Sequence, residues 1–474
     1  MNTVNTVKTR LTLLLVTLLI GSYSTVEIDA ADVAAVEEAD RAFRVGLLMP
    51  VEGPVRRGVT IVVRQGHIAS ILDGDEAIPE GVKLTDFGAD SVVVPTFVNP
   101  SSRIHELDSN PRLRRPRGAI SGVAATPGDR RKAKGSASYQ YRAAIYERLV
   151  ETGYGAVALV PSGAAFLSGL ATVIRPGKPG KDAKKEDSIL LEDAYLGMSY
   201  RRGKTSRAGA NRLFKKALDQ IKKRKEAEKK KKEEEKKKAE AAKGGNQKKG
   251  AKPAPPKPAK ASPNAAAQAA KPAPPPDPLV EVLDGKRKVF WLLSRDTANI
   301  DHAMRLFDGL ETKFSFVLMT DPQEPDVVGR LAKRKERIRG VVLQPEMGRL
   351  YENSVYFHPA VLFEKAGLPV SFVPMSDDLE GHRDIFYFLA EMVKCGLGRD
   401  EALRAVTLNP ARFLGIERRL GSLVVGKEAS FVVYGADPFD GLARPRAVYH
   451  LGAQVFPAPK DDGSRAKAKV EVEQ

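Results

Sequence analysis

The chain has 474 residues, 42% of them hydrophobic, enough for one large domain or two to three ordinary ones. Its net charge of +18 suggests a nucleic-acid binder, but residues 201–278 hold 25 Lys and Arg against 8 Asp and Glu, so +17 of that charge sits in one segment and the rest of the chain is nearly neutral. The single cysteine, Cys395, excludes an internal disulfide framework and reads as a small buried helix residue.

Lys8 and Arg10 precede the apolar run Leu11–Ile20, and Ser22, Ser24 and Ala30 offer small residues for cleavage. Residues 1–30 therefore read as an export signal, and the protein as periplasmic or extracellular. An apolar run of about ten residues is short for a bilayer span, so an uncleaved anchor is the alternative. Residues 44–94 read as short strands and turns. Within "GVTIVVRQGHIASI" strands 58–64 and 67–72 are joined by Gln65-Gly66.

From Val92 onward apolar strand-like runs alternate with amphipathic helical ones. "VVVPTFVNPSSR" (92–103) is a buried strand that opens into a polar loop. A helix closed by Gly153 precedes the strand "GAVALVP" (155–161). Strand–helix units follow at 288–307, 314–338 and 369–398, with a further strand at 340–345. Such repetition predicts an α/β architecture, a closed (β/α)8 TIM-like barrel over 95–419. The C-terminus returns to strands, with a hairpin around Gly426-Lys427 and two more at 447–456. Segments 44–94 and 420–458 are thus expected to form one small composite β-sandwich from both chain ends.

Two segments interrupt the barrel. Residues 201–278 begin as a Lys/Glu-rich helix (212–243) and continue as an Ala/Pro/Lys-rich linker (250–278). They read as a solvated spacer or as a contact to an anionic surface. They do not read as a specific nucleic-acid binder, because aromatic residues for base stacking are missing there. The second segment, 103–142, carries 10 basic and 3 acidic residues directly after the opening strand.

"CGLGRDEALRAVTLNPARFLGIERRLGSLVVGKEASFVVYGADP" (395–438) resembles the amidohydrolase superfamily, in particular its secreted, imidazolonepropionase-like branch. "GHIASI…IPEGVKLTDFGADSVVVPTFVNP", "AFLSGLATVIRPG" and "DTANIDHAMRLF" resemble further segments of it. The resemblance implies a hydrolase of carbon–nitrogen bonds. A divalent metal, often zinc, is held there by His-x-His on barrel strand one, by His on strands five and six, and by Asp on strand eight.

Carried onto this chain, the His-x-His falls on Ser101 and Arg103, the preceding Asp on Asn99, the strand-five His on Leu293 or Ser294, and the strand-six His around Met319–Asp321. Only the strand-eight Asp is kept, as Asp377. A hydroxyl is a poor zinc ligand and a guanidinium repels the cation, so no metal is expected unless a site is rebuilt from His105, His358, His382 and Asp377. An Arg103–Asp377 ion pair is the expected substitute for the lost metal contact. The implied function is that of a catalytically impaired homologue, a partner subunit of an active paralogue or a ligand-binding protein. Asp377 is its candidate catalytic position, with Ser101, Arg103 and Asp378 placed to meet substrate or an anion. The alternatives are a metal-dependent hydrolase of cyclic-amide-type bonds with a rebuilt site, and a surface-anchoring protein acting through 201–278.

Overall fold

A computed structural model describes residues 40–457 apart from 75, 107–129, 162–165, 179, 181–182, 200–207, scattered positions from 210 to 232, 235–276, 293–296, 309–315, 320–324, 346–347, 350–355 and 442. The expected signal (1–30), most of the two interrupting segments and the strand-five position lie outside those residues.

The first sheet draws strands from both ends of the chain. β1 (Arg41–Leu48), β2 (Arg56–Arg64), β3 (His67–Leu72), β4 (Lys83–Asp86) and β5 (Val92–Pro95) join β18 (Phe431–Tyr434), β19 (Pro445–His450) and β20 (Ala453–Phe456) in the order β20-β19-β18-β5-β1-β2-β3, with β4 beside β1. Gln65 and Gly66 both take positive φ, the geometry that a two-residue β2–β3 hairpin requires. The hairpin expected at Gly426-Lys427 is replaced. Those residues turn, but the arm before them is not a strand. The turn residues themselves bond to Ile68 of β3: the Gly426 N–H donates to Ile68 O and Lys427 O accepts the Ile68 N–H, while the arm's Leu423 N–H donates to Pro50 O. The enclosed core contains Phe43, Ile61, Phe431 and Tyr449, with the Phe431 and Tyr449 rings stacked 4.8 Å apart.

The second body is built from β6 (Phe97–Ser102), β7 (Tyr154–Leu159), β8 (Leu167–Leu170), β9 (Thr172–Ile174), β10 (Ile189–Leu191), β11 (Tyr195–Ser199), β12 (Lys288–Leu292), β13 (Phe316–Met319), β14 (Ile338–Leu343), the two-residue β15 (Gly348–Arg349) and β16 (Tyr356–Phe357), and β17 (Val370–Phe372). Its main ladders run β10-β9-β7-β6 and β17-β14-β13-β12-β11-β8. β8 and β9 are one run of chain that leaves the β11 ladder at Ala171 and enters the β7 ladder at Thr172. Eight staves therefore follow one another: β6, β7, the 167–174 run, β11, β12, β13, β14, β17.

Two features differ from the expected closed parallel barrel. The 167–174 stave is antiparallel to both neighbours, and no ladder joins β17 to β6. One apolar cluster nevertheless takes Val98, Ala156, Val173, Tyr195, Phe290, Val317 and Val342 from successive strands and Val373 from just after β17. The helix Leu408–Leu414 supplies Phe413 to it. Gly340 of β14 permits that approach, because a Cβ there would stand 2.1 Å from the Phe413 ring. The helix ends at Gly415 in the left-handed region, and Asn409 Nδ2 donates to Val370 O at 2.7 Å, tying it to β17.

Candidate functional site

The seam between β6 and β17 is spanned by side chains at the C-terminal ends of both strands. β6 carries Asn99, fully buried, and then Ser101 and Ser102, and Arg103 follows its end. Past β17 the chain turns through Ser376, Asp377 and Asp378 into the short helix Leu379–Arg383. The Ser102 hydroxyl donates to Asp377 Oδ1 at 2.7 Å and accepts the Ile104 N–H at 3.0 Å. The Arg103 main-chain N–H donates to Asp377 Oδ2. The carboxylate is thus reached through the backbone of residue 103, where the sequence suggested an ion pair with its guanidinium.

A second connection lies deeper. His382, fully buried, has Nδ1 2.6 Å from Asp378 O and Nε2 2.9 Å from Asn99 Nδ2. Only one assignment satisfies both contacts. Nδ1 carries the proton and donates to the carbonyl, and the Nε2 lone pair accepts from the Asn99 amide. Asn99 Oδ1 in turn accepts the Ser101 N–H at 3.0 Å. Burial holds the His382 pKa below the usual histidine range, which keeps this neutral form. Tyr154 packs edge-on against the ring at 4.8 Å.

The other named residues are placed as follows. Asp378 caps the helix Leu379–Arg383: its Oδ1 accepts from Gly381 N and from the Ser376 hydroxyl, and the bond from Gly381 lowers its pKa. His358 caps the helix Pro359–Lys365, accepting the Ala360 N–H at Nδ1 while Nε2 lies 3.0 Å from Gln344 O; burial lowers its pKa to about 4. His105 is half-buried in the turn Ile104–Glu106. Tyr195 carried no recognisable signal in sequence. Its buried hydroxyl donates to Pro100 O at 2.9 Å beside Ser101, and its ring stacks on Phe290.

This donor set does not fit a divalent cation. Hydroxyl and guanidinium side chains stand at the His-x-His positions, each Asp377 oxygen already accepts a hydrogen bond, and both nitrogens of His382 and of His358 are engaged with protein groups. Among the described residues no three His, Cys, Asp or Glu lie close enough together to hold a metal.

Residues 395–456 match the model of the amidohydrolase family. Among solved structures, an amidohydrolase from Thermotoga maritima is similar at 20% identity over 88% of this chain and 99% of that one, with a TM-score of 0.62. A molinate hydrolase is matched at 15% identity over 89% and 96%, TM-score 0.45. A zinc-bound adenosine deaminase from Xanthomonas campestris is matched at 14% over 88% and 92%, TM-score 0.39. The fold is that of an amidohydrolase. The family pattern lies in its C-terminal segment, residues 395–456.

Proposed function

We propose that this protein is an amidohydrolase-superfamily member that has exchanged metal-dependent hydrolysis for a binding or partner-subunit role. One observation carries the reading: the strand-eight carboxylate Asp377, a metal ligand by family resemblance, is used to fasten Ser102 and the Arg103 main chain across the β6–β17 seam. The hydrogen bonds do mechanical work there that a cation would otherwise do, and both ring nitrogens of His382 and of His358 are engaged with protein groups. The export signal read in residues 1–30 would place the protein outside the cytoplasm. An active superfamily paralogue carrying His-x-His is the proposed partner.

The test is turnover of cyclic amides and N-acyl amino acids by the purified protein, with and without added zinc, beside the Ser101→His/Arg103→His variant. The proposal expects no turnover from the wild-type chain in either condition. Zinc-dependent turnover by the wild-type chain, abolished in Asp377→Asn, would establish the rebuilt-site hydrolase instead.

A further inference from the structure

The basic segment is attached to the domain in a way that composition alone did not suggest. The described residues between 208 and 234 are helical. Phe214 and Leu218, one turn apart, are buried in the main core, with Phe214 edge-on to Phe166 at 5.9 Å. Asn211, on the same face, lies 2.5 Å from His302 Nε2. One turn further along that face stands Lys222, which is exposed, and two turns beyond it Lys229, also exposed. Among the described residues the face that seats the helix is buried at Phe214 and Leu218 and charged and solvent-facing at Lys222 and Lys229. The helix is rooted at its start and leaves the domain from there.

The charge on this arm is of a particular kind. Of the 25 basic residues in 201–278, 20 are Lys and 5 Arg, and no Phe, Trp or Tyr occurs from 215 to 278. Lysine is a hydrated point charge suited to a diffuse field. Arginine forks and aromatic rings are what base-edge and single-strand recognition use. A bilayer of anionic phospholipid presents such a diffuse field, and each lysine near it adds to the attraction.

We infer that this rooted helix is a basic arm that docks the protein on an anionic phospholipid surface. The inference is independent of whether the domain turns over a substrate. The test is co-sedimentation of the full chain with vesicles of phosphatidylcholine alone and of phosphatidylcholine with a third phosphatidylglycerol. The first mixture reads any apolar contribution of the N-terminal run. The difference between the two reads the arm.

Binding should require phosphatidylglycerol and fall steeply with salt. Replacing four exposed lysines, Lys222→Gln, Lys223→Gln, Lys229→Gln and Lys230→Gln together, should weaken it roughly a thousandfold. The corresponding four Lys→Arg replacements should retain it, and since all four side chains are exposed, thermal stability should be unchanged in both variants. Binding indifferent to phosphatidylglycerol or to the Lys→Gln replacements would overturn the inference. So would capture by duplex DNA at the same salt in preference to the vesicles.

Discussion

The segment 395–456 and the C-terminal end of β6 belong to the same domain, yet they have kept different things. In the first, the family's residues do structural jobs that physics still demands. Gly415 turns the helix end, Asn409 ties the helix to β17, and Phe413 fills the interior against Gly340. Beside them Glu428, 2% exposed, accepts from Arg175 at 2.5 Å and Arg419 at 2.6 Å. In the second, the positions that resemblance assigns to metal binding hold Asn99, Ser101 and Arg103, and their polar groups bond to one another and to Asp377 and His382. On the proposed reading, the fold loses its cation because the ligand positions are refilled with groups that satisfy each other. It cannot as readily lose the residues that set its closing helix.

This comparison can be broken at either end. The largest effect is expected in the closing segment. Glu428→Gln leaves the largely buried Arg175 and the exposed Arg419 facing a neutral amide and should cost about 3 kcal/mol in denaturant unfolding, the low end for a buried pair because water reaches Arg419. A loss below about 1 kcal/mol would mean that the pair is not what fixes this segment.

Acid comes next. His358, held at about 4, and His450, pushed down to about 3 by burial with Arg175 acting in the same direction, are neutral in the folded state and titrate near 6.5 when unfolded. Above pH 6.5 neither affects stability. Below it the unfolded chain binds the protons first, so stability falls by up to about 1.4 kcal/mol per pH unit for each ring, and the His358 penalty is complete near pH 4. His358→Asn keeps an acceptor for the Ala360 N–H and removes the titration. The pH dependence of its unfolding between 6.5 and 4 should be flatter than that of the wild type, and equal slopes would exclude this role.

At the mouth, Asp377→Asn removes a charge that accepts two hydrogen bonds and should destabilise by about 1.5–3 kcal/mol, read by thermal melting. Arg103 gives the smallest effect. Arg103→Ala preserves the main-chain bond to Asp377, whereas Arg103→Pro removes its N–H, so the proline variant should melt lower than the alanine one. Equal melting of the two would return the guanidinium pair to favour.

Much of the fold was legible because its signals are local. The Gln65-Gly66 hairpin, the helix closed by Gly153 and the apolar strands at 155–159 and 288–292 follow from periodicity and turn chemistry, whereas the run 92–103, read as one strand, is two, β5 and β6, in different sheets. The antiparallel stave 167–174 was not legible as a stave. Its residues are split between two neighbours, a decision made by tertiary pairing at Ala171. At the site, the sequence displayed the missing imidazoles but not what replaced them. The Ser102–Asp377 bond joins residues 275 positions apart, and the Asn99–His382 bond residues 283 apart. Nothing local distinguishes a buried histidine that bonds an amide from one that waits for a metal.

The most direct measurement is elemental analysis of the purified protein after equilibration with zinc and removal of the free ion, paired with melting in zinc and in chelator. The account predicts no stoichiometric zinc and superimposable melting curves, because hydrogen bonds already hold the seam. One zinc per chain, lost in Asp377→Asn together with a chelator-sensitive melting temperature, would contradict it.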